Sequence, residues 1–203
     1  VPEGISATGS IDPGISLSHA PGAAPGVPPG DDLLRRISER SIPPSRYRTR
    51  REIARGGMGS IQRVWDEDLR RYLVMKVMLR PQDRNPHAKS VPPDSRQLTR
   101  FLEEAQITGQ LDHPGILPVH DIGIDEEGRL YFTMPLVRGQ DLAEVINRAR
   151  GGEDGWTRTR VLNVLLRVME ATAFAHDRGV VHRDLKPENI MVGRFGETYV
   201  MDW

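Results

Sequence analysis

The 203-residue sequence contains no cysteine, which excludes a disulfide framework and any thiolate metal site and is compatible with a reducing compartment. It lacks a charge surplus too, with 28 basic and 28 acidic residues. No global field therefore argues for nucleic acid or an anionic membrane as partner. No apolar run approaches the roughly 20 residues needed to span a bilayer, and no apolar leader pattern opens the chain. A cytoplasmic location is expected for this stretch, with any membrane anchor lying C-terminal to it. The first residue is Val, which suggests a start upstream. The histidines show no zinc-ligand spacing and no HExxH pattern. A chain of this length holds one ordinary domain, or a small domain plus a tail.

What is present is ordered along the chain. Residues 1–30 are rich in Pro and Gly and poor in aromatics, so they cannot offset their ordering entropy and are expected to be disordered. Asp31–Arg40 places Leu33, Leu34 and Ile37 on one side of a short helix that is marginal alone. Arg46, Arg48, Arg50 and Arg51 read as a solvated flank. From Arg51 the pattern becomes strand, glycine turn, strand. "RYLVMKVML" alternates, with Leu73, Met75 and Val77 facing one way and Val74, Lys76 and Met78 the other. Gln97–Leu111 predicts a helix buried through Leu98, Phe101, Leu102, Ala105 and Thr108. "ILPVHDIGI" and "RLYFTMPLV", separated by "DEEG", predict a β-hairpin. Asp141 and Glu144 have capping-box spacing. Trp156, Thr157 and Val161 predict a staple around an N-cap. The helix that follows has Val161, Leu162, Leu165, Val168, Met169 and Thr172 as its expected apolar face.

The densest chemistry lies in "HRDLKPEN", residues 182–189. Asp184 can orient or accept the proton of an attacking hydroxyl. Lys186, two residues on, can neutralise a phosphoryl group, and the amide oxygen of Asn189 can hold a hard metal ion. Asp202 ends a short strand. A hairpin around Gly193 and Gly196 is expected to bring it to the same mouth as Asn189.

These residues resemble the protein-kinase fold, and specifically a bacterial eukaryotic-like serine/threonine kinase, over roughly residues 47–203. The resemblance implies an α+β, bilobal architecture: residues 1–46 as tail and linker, 47–138 as N-lobe with hinge, and 139–203 as part of the helical C-lobe. It implies Asp184 as catalytic base, Lys186 as γ-phosphate contact, and Asn189 and Asp202 as Mg²⁺ ligands. "ARGGMGSI" resembles the loop that covers ATP phosphates, through Ala54, Gly56, Gly57, Gly59 and Ile61, with Ala54 where the family has its first Gly. Lys76 would pair the α/β-phosphates and be held by a helix carboxylate, Glu104 in preference to Glu103. Val74 stands where Ala is usual and would protrude into the adenine slot. Met134 is the gatekeeper, Pro135 offers only its carbonyl to adenine, and Val137 offers its N–H. His182 is expected to pack rather than catalyse.

The implied partners are ATP with Mg²⁺ and proteins bearing Ser or Thr hydroxyls. Trp203 stands where the family has Phe. The activation segment and peptide-binding helices are expected beyond it, so little activity is expected of the 203-residue stretch alone. The alternative reading is a truncated, non-catalytic nucleotide- or partner-binding module. An aminoglycoside-type phosphotransferase fits less well, since its loop resembles HGD and lacks the Lys-Pro-Glu run.

Overall fold

Side-chain alternation in one strand decides how the first sheet is built. Strand β3 (Arg71–Met78) buries Leu73, Met75 and Val77 on one face and turns the half-buried Val74 and Lys76 to the other. It pairs with β2 (Gly59–Asp66) and β5 (Leu130–Pro135), while β1 (Tyr47–Arg55) and β4 (Asp121–Ile124) close the edges, in the order β1-β2-β3-β5-β4. All pairs are antiparallel. The computed structural model describes residues 29–39, 46–56, 59–80, 83, 95–153 and 155–203. The expected disorder of the first 28 residues and the position of Gly57 lie outside these.

Helix α2 (Ser95–Gln110) covers the Lys76 side of the sheet. Phe101, Leu102, Ala105 and Thr108 are buried along one stripe, as their spacing predicts, and Leu98 is partly buried beside them. Two features differ from the sequence reading. Helix α1 (Pro29–Glu39), placed by sequence in the tail, docks on this part: Ile37 is 3% exposed among Met78, Phe101, Leu102, Leu130 and Phe132. A helix this short gains its order from the apolar cluster it completes, not from its own hydrogen bonds. Arg46, expected to be solvated, instead forks onto the fully buried Asp66, with Nε and Nη2 at 3.3 and 3.2 Å from its two oxygens. The backbone N–H groups of Asp68 and Leu69 also donate to Asp66.

The second part follows the strand β6 (Gly139–Asp141). Helix α3 (Leu142–Gly151) starts at Asp141, whose carboxylate accepts from the Glu144 N–H at 2.8 Å, and stops at Gly152 in the left-handed region. Helix α4 (Arg158–Asp177) starts at Thr157, whose hydroxyl accepts from the Arg160 N–H, and Trp156 and Val161 both pack on the core. Strands β7 (Ile190–Gly193) and β8 (Thr198–Val200) form the expected hairpin, with Gly196 at φ 87° in its turn, and β6 joins them as a third strand. A Cβ at Gly139 would overlap the Val192 carbonyl, so β6 requires glycine there.

The buried face of α4 is only partly the one expected: Val168 is buried and Val161 packs on the core, but Leu162, Leu165 and Met169 do not. Val164, Val168, Ala171 and Ala175 face the core, whereas Leu162, Leu165, Leu166 and Met169 are exposed. The helix is apolar around most of its girth, so periodicity alone could not choose a side.

Burial opposes ionisation of Asp66, but the Arg46 guanidinium and the two N–H groups outweigh it and hold the carboxyl below its ordinary 3.8. A carboxyl depressed by folding stabilises above its unfolded value, and that contribution disappears as pH falls through the folded one. Asp66→Asn is therefore expected to lower stability by about 2 kcal/mol near neutral pH in urea titrations. The gap from wild type should shrink below about pH 4. On α4, replacing Leu162, Leu166 and Met169 together by Gln should reduce self-association in light scattering. Unfolding free energy should change by no more than about 0.5 kcal/mol per site.

Candidate active site

Between the two parts, one ammonium meets two carboxylates. Lys76 Nζ, carried by β3, lies 2.5 Å from Glu104 Oε1 on α2 and 3.0 Å from Asp202 Oδ1 just beyond β8. The lysine and glutamate side chains are each 12% exposed. Burial alone would pull the lysine down, yet Asp202 and Glu104 outweigh it and hold its pKa above 10.5. Glu104 is pushed up, by burial and by Asp202, against the pull of Lys76. One cation shared by two anions leaves the cluster with a net negative charge.

Around Asp184 four hydrogen bonds close a circuit. His182 donates from Nε2 to the Met201 carbonyl at 2.7 Å, and the Met201 N–H donates to the Asn189 carbonyl at 2.9 Å. Asn189 Nδ2 donates to the Asp184 carbonyl at 2.9 Å, and the Asp184 N–H returns to the His182 carbonyl at 2.8 Å. The last bond forms a three-residue turn about Arg183, at φ 61°. His182 is buried and its ring lies 4.9 Å from that of Trp203. Lys186 Nζ sits 2.7 Å from Asp184 Oδ2. Its ammonium is the main reason the Asp184 carboxyl is held low, and Asp184 in turn raises Lys186.

The two residues expected to hold a metal, Asn189 and Asp202, have suitable donor atoms. The Asn189 amide nitrogen is spent on Asp184, so its oxygen is the atom left for a cation. The Met201–Asn189 bond sets Asp202 one residue beyond the point of pairing. Asp202 adopts φ 57° and is exposed. An amide oxygen and a carboxylate are hard donors suited to Mg²⁺.

The residues expected on the nucleotide side lie along the first sheet. Ile61 is opposite Lys76, and Val74 is opposite Met134. Pro135 ends β5, and Val137 lies just beyond it, half-buried. The Gly56 N–H donates to the Gly59 carbonyl at 2.9 Å. A Cβ on Gly59 would meet the Val77 carbonyl at 3.0 Å. Ala54, opposite Ile61, is not among the described residues with positive φ, so nothing at that position requires glycine. A cleft of about 600 Å³ opens beside the ion pair, lined by Lys76, Arg100, Glu104, Arg183, Asp184 and Asp202. Arg100 escaped the sequence reading. Its signal was its place one helical turn before Glu104, on the same side of α2.

The sequence pattern of the protein kinase domain matches residues 47–203. The chain belongs to the protein kinase family. Among curated relatives, the kinase domain is 34% identical over 165 residues to the serine/threonine-protein kinase PknD of Protochlamydia amoebophila. It is 37% identical over 147 residues to the serine/threonine-protein kinase pkn3 of Myxococcus xanthus. These matches take in 77% and 72% of this chain, but only 16% and 24% of the relatives' lengths. The crystal structure of the PknI kinase domain from Mycobacterium tuberculosis superposes with a TM-score of 0.57 at 26% identity. That match covers 78% of this chain and 59% of that one. The fold is accordingly a small lobe, the five-stranded sheet with α2, followed by helical elements of the large lobe. Proteins of this family generally use ATP and Mg²⁺.

Lys76→Met would leave Glu104 and Asp202 facing each other without their cation. Stability should fall by about 2–3 kcal/mol near neutral pH. Burial and Asp202 already hold Glu104 above its ordinary 4.5 against the pull of Lys76, and loss of that ammonium pushes it further up. A carboxyl raised by folding recovers stability as pH drops through the folded value. Thermal unfolding of both proteins between pH 4 and 8 should show the variant's deficit narrowing toward the acid end.

Proposed function

We propose that this kinase domain transfers the γ-phosphoryl group of ATP to Ser and Thr hydroxyls of proteins. The observation that carries the reading is the position of Lys76, shared between Glu104 and Asp202 at the cleft that Asp184 also lines. Positioning and charge neutralisation do most of the work in phosphoryl transfer, and the side chains here are of the types that it needs.

Asp184 is the base that orients the acceptor hydroxyl and takes its proton. Its low pKa keeps it ionised and able to accept. Lys186, tethered to Asp184, offsets negative charge on the transferring group. Lys76 contacts the nucleotide phosphates, with Glu104 fixing its direction. Asn189 and Asp202 hold Mg²⁺, which supplies neutralisation of phosphate charge when bound. The glycine-rich loop that holds Gly56 and Gly59 would cover the phosphates. Val74, Ile61 and Met134 would bound the adenine slot, with the Pro135 carbonyl and the Val137 N–H as the groups available to hydrogen-bond the base. Val74 narrows that slot by two methyl groups relative to alanine.

Protein hydroxyls are the acceptors and nucleic acid is not a partner, in line with the balanced charge. ATP as donor places the domain in the cytoplasm. No helix among the described residues is long and apolar enough to cross a membrane.

Asp184→Asn is expected to lower the rate of phosphate transfer from labelled ATP to a Ser/Thr-rich acceptor protein by about 10²–10⁴-fold. Its Mg·ATP affinity by calorimetry should stay near wild type. Transfer at an undiminished rate by this variant would sink the assignment.

A further inference from the structure

The outer face of the first sheet, turned away from Lys76, carries a concavity of its own. It holds about 220 Å³ and is bounded by the sheet and the β4–β5 turn. The buried Met75 and Tyr131 lie at its base, beside Tyr47, Gln62 and Ile124. Asp125, Glu126 and Glu127 stand at its rim. The phosphotransfer reading uses none of these residues.

The group that points to a ligand is the Tyr131 hydroxyl. Tyr131 is 3% exposed and lines the concavity, yet its hydroxyl has no hydrogen-bond partner among the described residues. A buried phenol normally has one. The ring crosses β4 where only glycine admits it: a Cβ on Gly123 would meet the hydroxyl oxygen at 2.5 Å. It stands edge-on to the Tyr47 ring, with centroids 5.9 Å apart, and the Tyr47 hydroxyl is itself spent on Asp121 at 3.2 Å. Burial first, then Asp121 and Asp125, push the Tyr131 phenol up to about 12. It is therefore neutral near pH 7, with an oxygen free to accept.

The rim is fixed in shape and negative in balance. Asp125 Oδ1 accepts from the Arg129 N–H at 2.7 Å, and its Oδ2 from Arg129 Nε at 2.8 Å. Glu127 accepts from Arg129 Nη2 at 3.1 Å. One guanidinium thus serves two carboxylates, and Glu126 has no ionic partner among the described residues. A lone phenol oxygen and a lone carboxylate suit an ammonium, a point charge with three donors. A guanidinium seeks two parallel oxygens of one carboxylate. No cluster of carboxylates or histidines among the described residues is fit to hold a metal ion. Met75, Ile124 and the Tyr47 ring offer apolar contact to an alkyl stem, and the faces of tyrosine rings attract a cation.

We propose that this concavity binds a primary alkylammonium group, with the Tyr131 hydroxyl and Glu126 as its acceptors and Met75, Ile124 and Tyr47 around its stem. Such a group is carried by a free aliphatic diamine or by a lysine side chain, and both present the same four-carbon stem to the site.

The test uses the whole chain with its methionine methyl groups labelled with ¹³C. Titration with 1,4-diaminobutane at low salt should shift the Met75 methyl resonance and leave that of Met169, on α4, in place. A Kd of about 1 mM is expected by calorimetry. The neutral 1,4-butanediol should bind at least tenfold more weakly. Tyr131→Phe, which removes only the hydroxyl, and Glu126→Gln, on the exposed turn, should each raise the Kd about tenfold. Nα-acetyl-lysine methylamide separates the sources: binding as tight as the diamine's assigns a lysine of a protein, and weaker binding a free amine. An unmoved Met75 methyl, equal binding of the diol, or wild-type affinity in Glu126→Gln would overturn the site. Should Tyr131→Phe not fold, Glu126→Gln and the diol decide alone.

Discussion

One buried ammonium holds the arrangement together. Lys76 reaches Glu104, 28 residues away, and Asp202, 126 residues away, so it joins β3, α2 and the end of the β7–β8 hairpin in one contact. Burying a lysine is unfavourable unless carboxylates compensate, and two do so here. The compensation overshoots, leaving net negative charge on the side of Asp202, whose side chain is about half exposed and lines the cleft. The contact that ties the lobes together is therefore also the one that turns an anion toward that cleft.

Backbone strain at the site is balanced locally. Arg183 and Asp202 both occupy the left-handed region, which costs a non-glycine residue about 1–3 kcal/mol. Asp tolerates that region through its short polar side chain; Arg has no such help. The four-bond circuit through His182, Met201, Asn189 and Asp184 encloses Arg183, while Asp202 follows its Met201 corner and is held by Lys76. At about 0.5–1.5 kcal/mol net per bond, the circuit is of the right size to offset the strain at Arg183. His182 contributes through that circuit and through its contact with Trp203, which agrees with a packing role.

Much of this was legible in the sequence because it is local. The alternation in β3, the stripe on α2, the caps at Asp141 and Thr157, and the hairpin around Gly196 all depend on residues within a few positions of each other. The contiguous "HRDLKPEN" likewise brings its chemistry with it. What escaped depends on distant partners. Arg46 looks solvated until Asp66, 20 residues on, is seen beneath it. Ile37 looks stranded in a short helix until the α2 cluster supplies its neighbours. On α4 the failure has another origin: an apolar residue lies on nearly every side, so the hydrophobic pattern lacks a direction. Only contact with Leu142, Val145 and Ile190 selects the Val164–Val168 face.

The connection after α2 explains why that helix has one firm end. Gly115 accepts from the Val200 N–H at 2.8 Å, Leu117 donates to the Val200 carbonyl at 3.4 Å, and Ile116 bridges Val200 in parallel. A side chain at Gly115 would press on Ala171 at 3.1 Å, so glycine and alanine together let this segment lie close against α4. A tripeptide bonded on both sides to β8 and backed by a helix has little room to move.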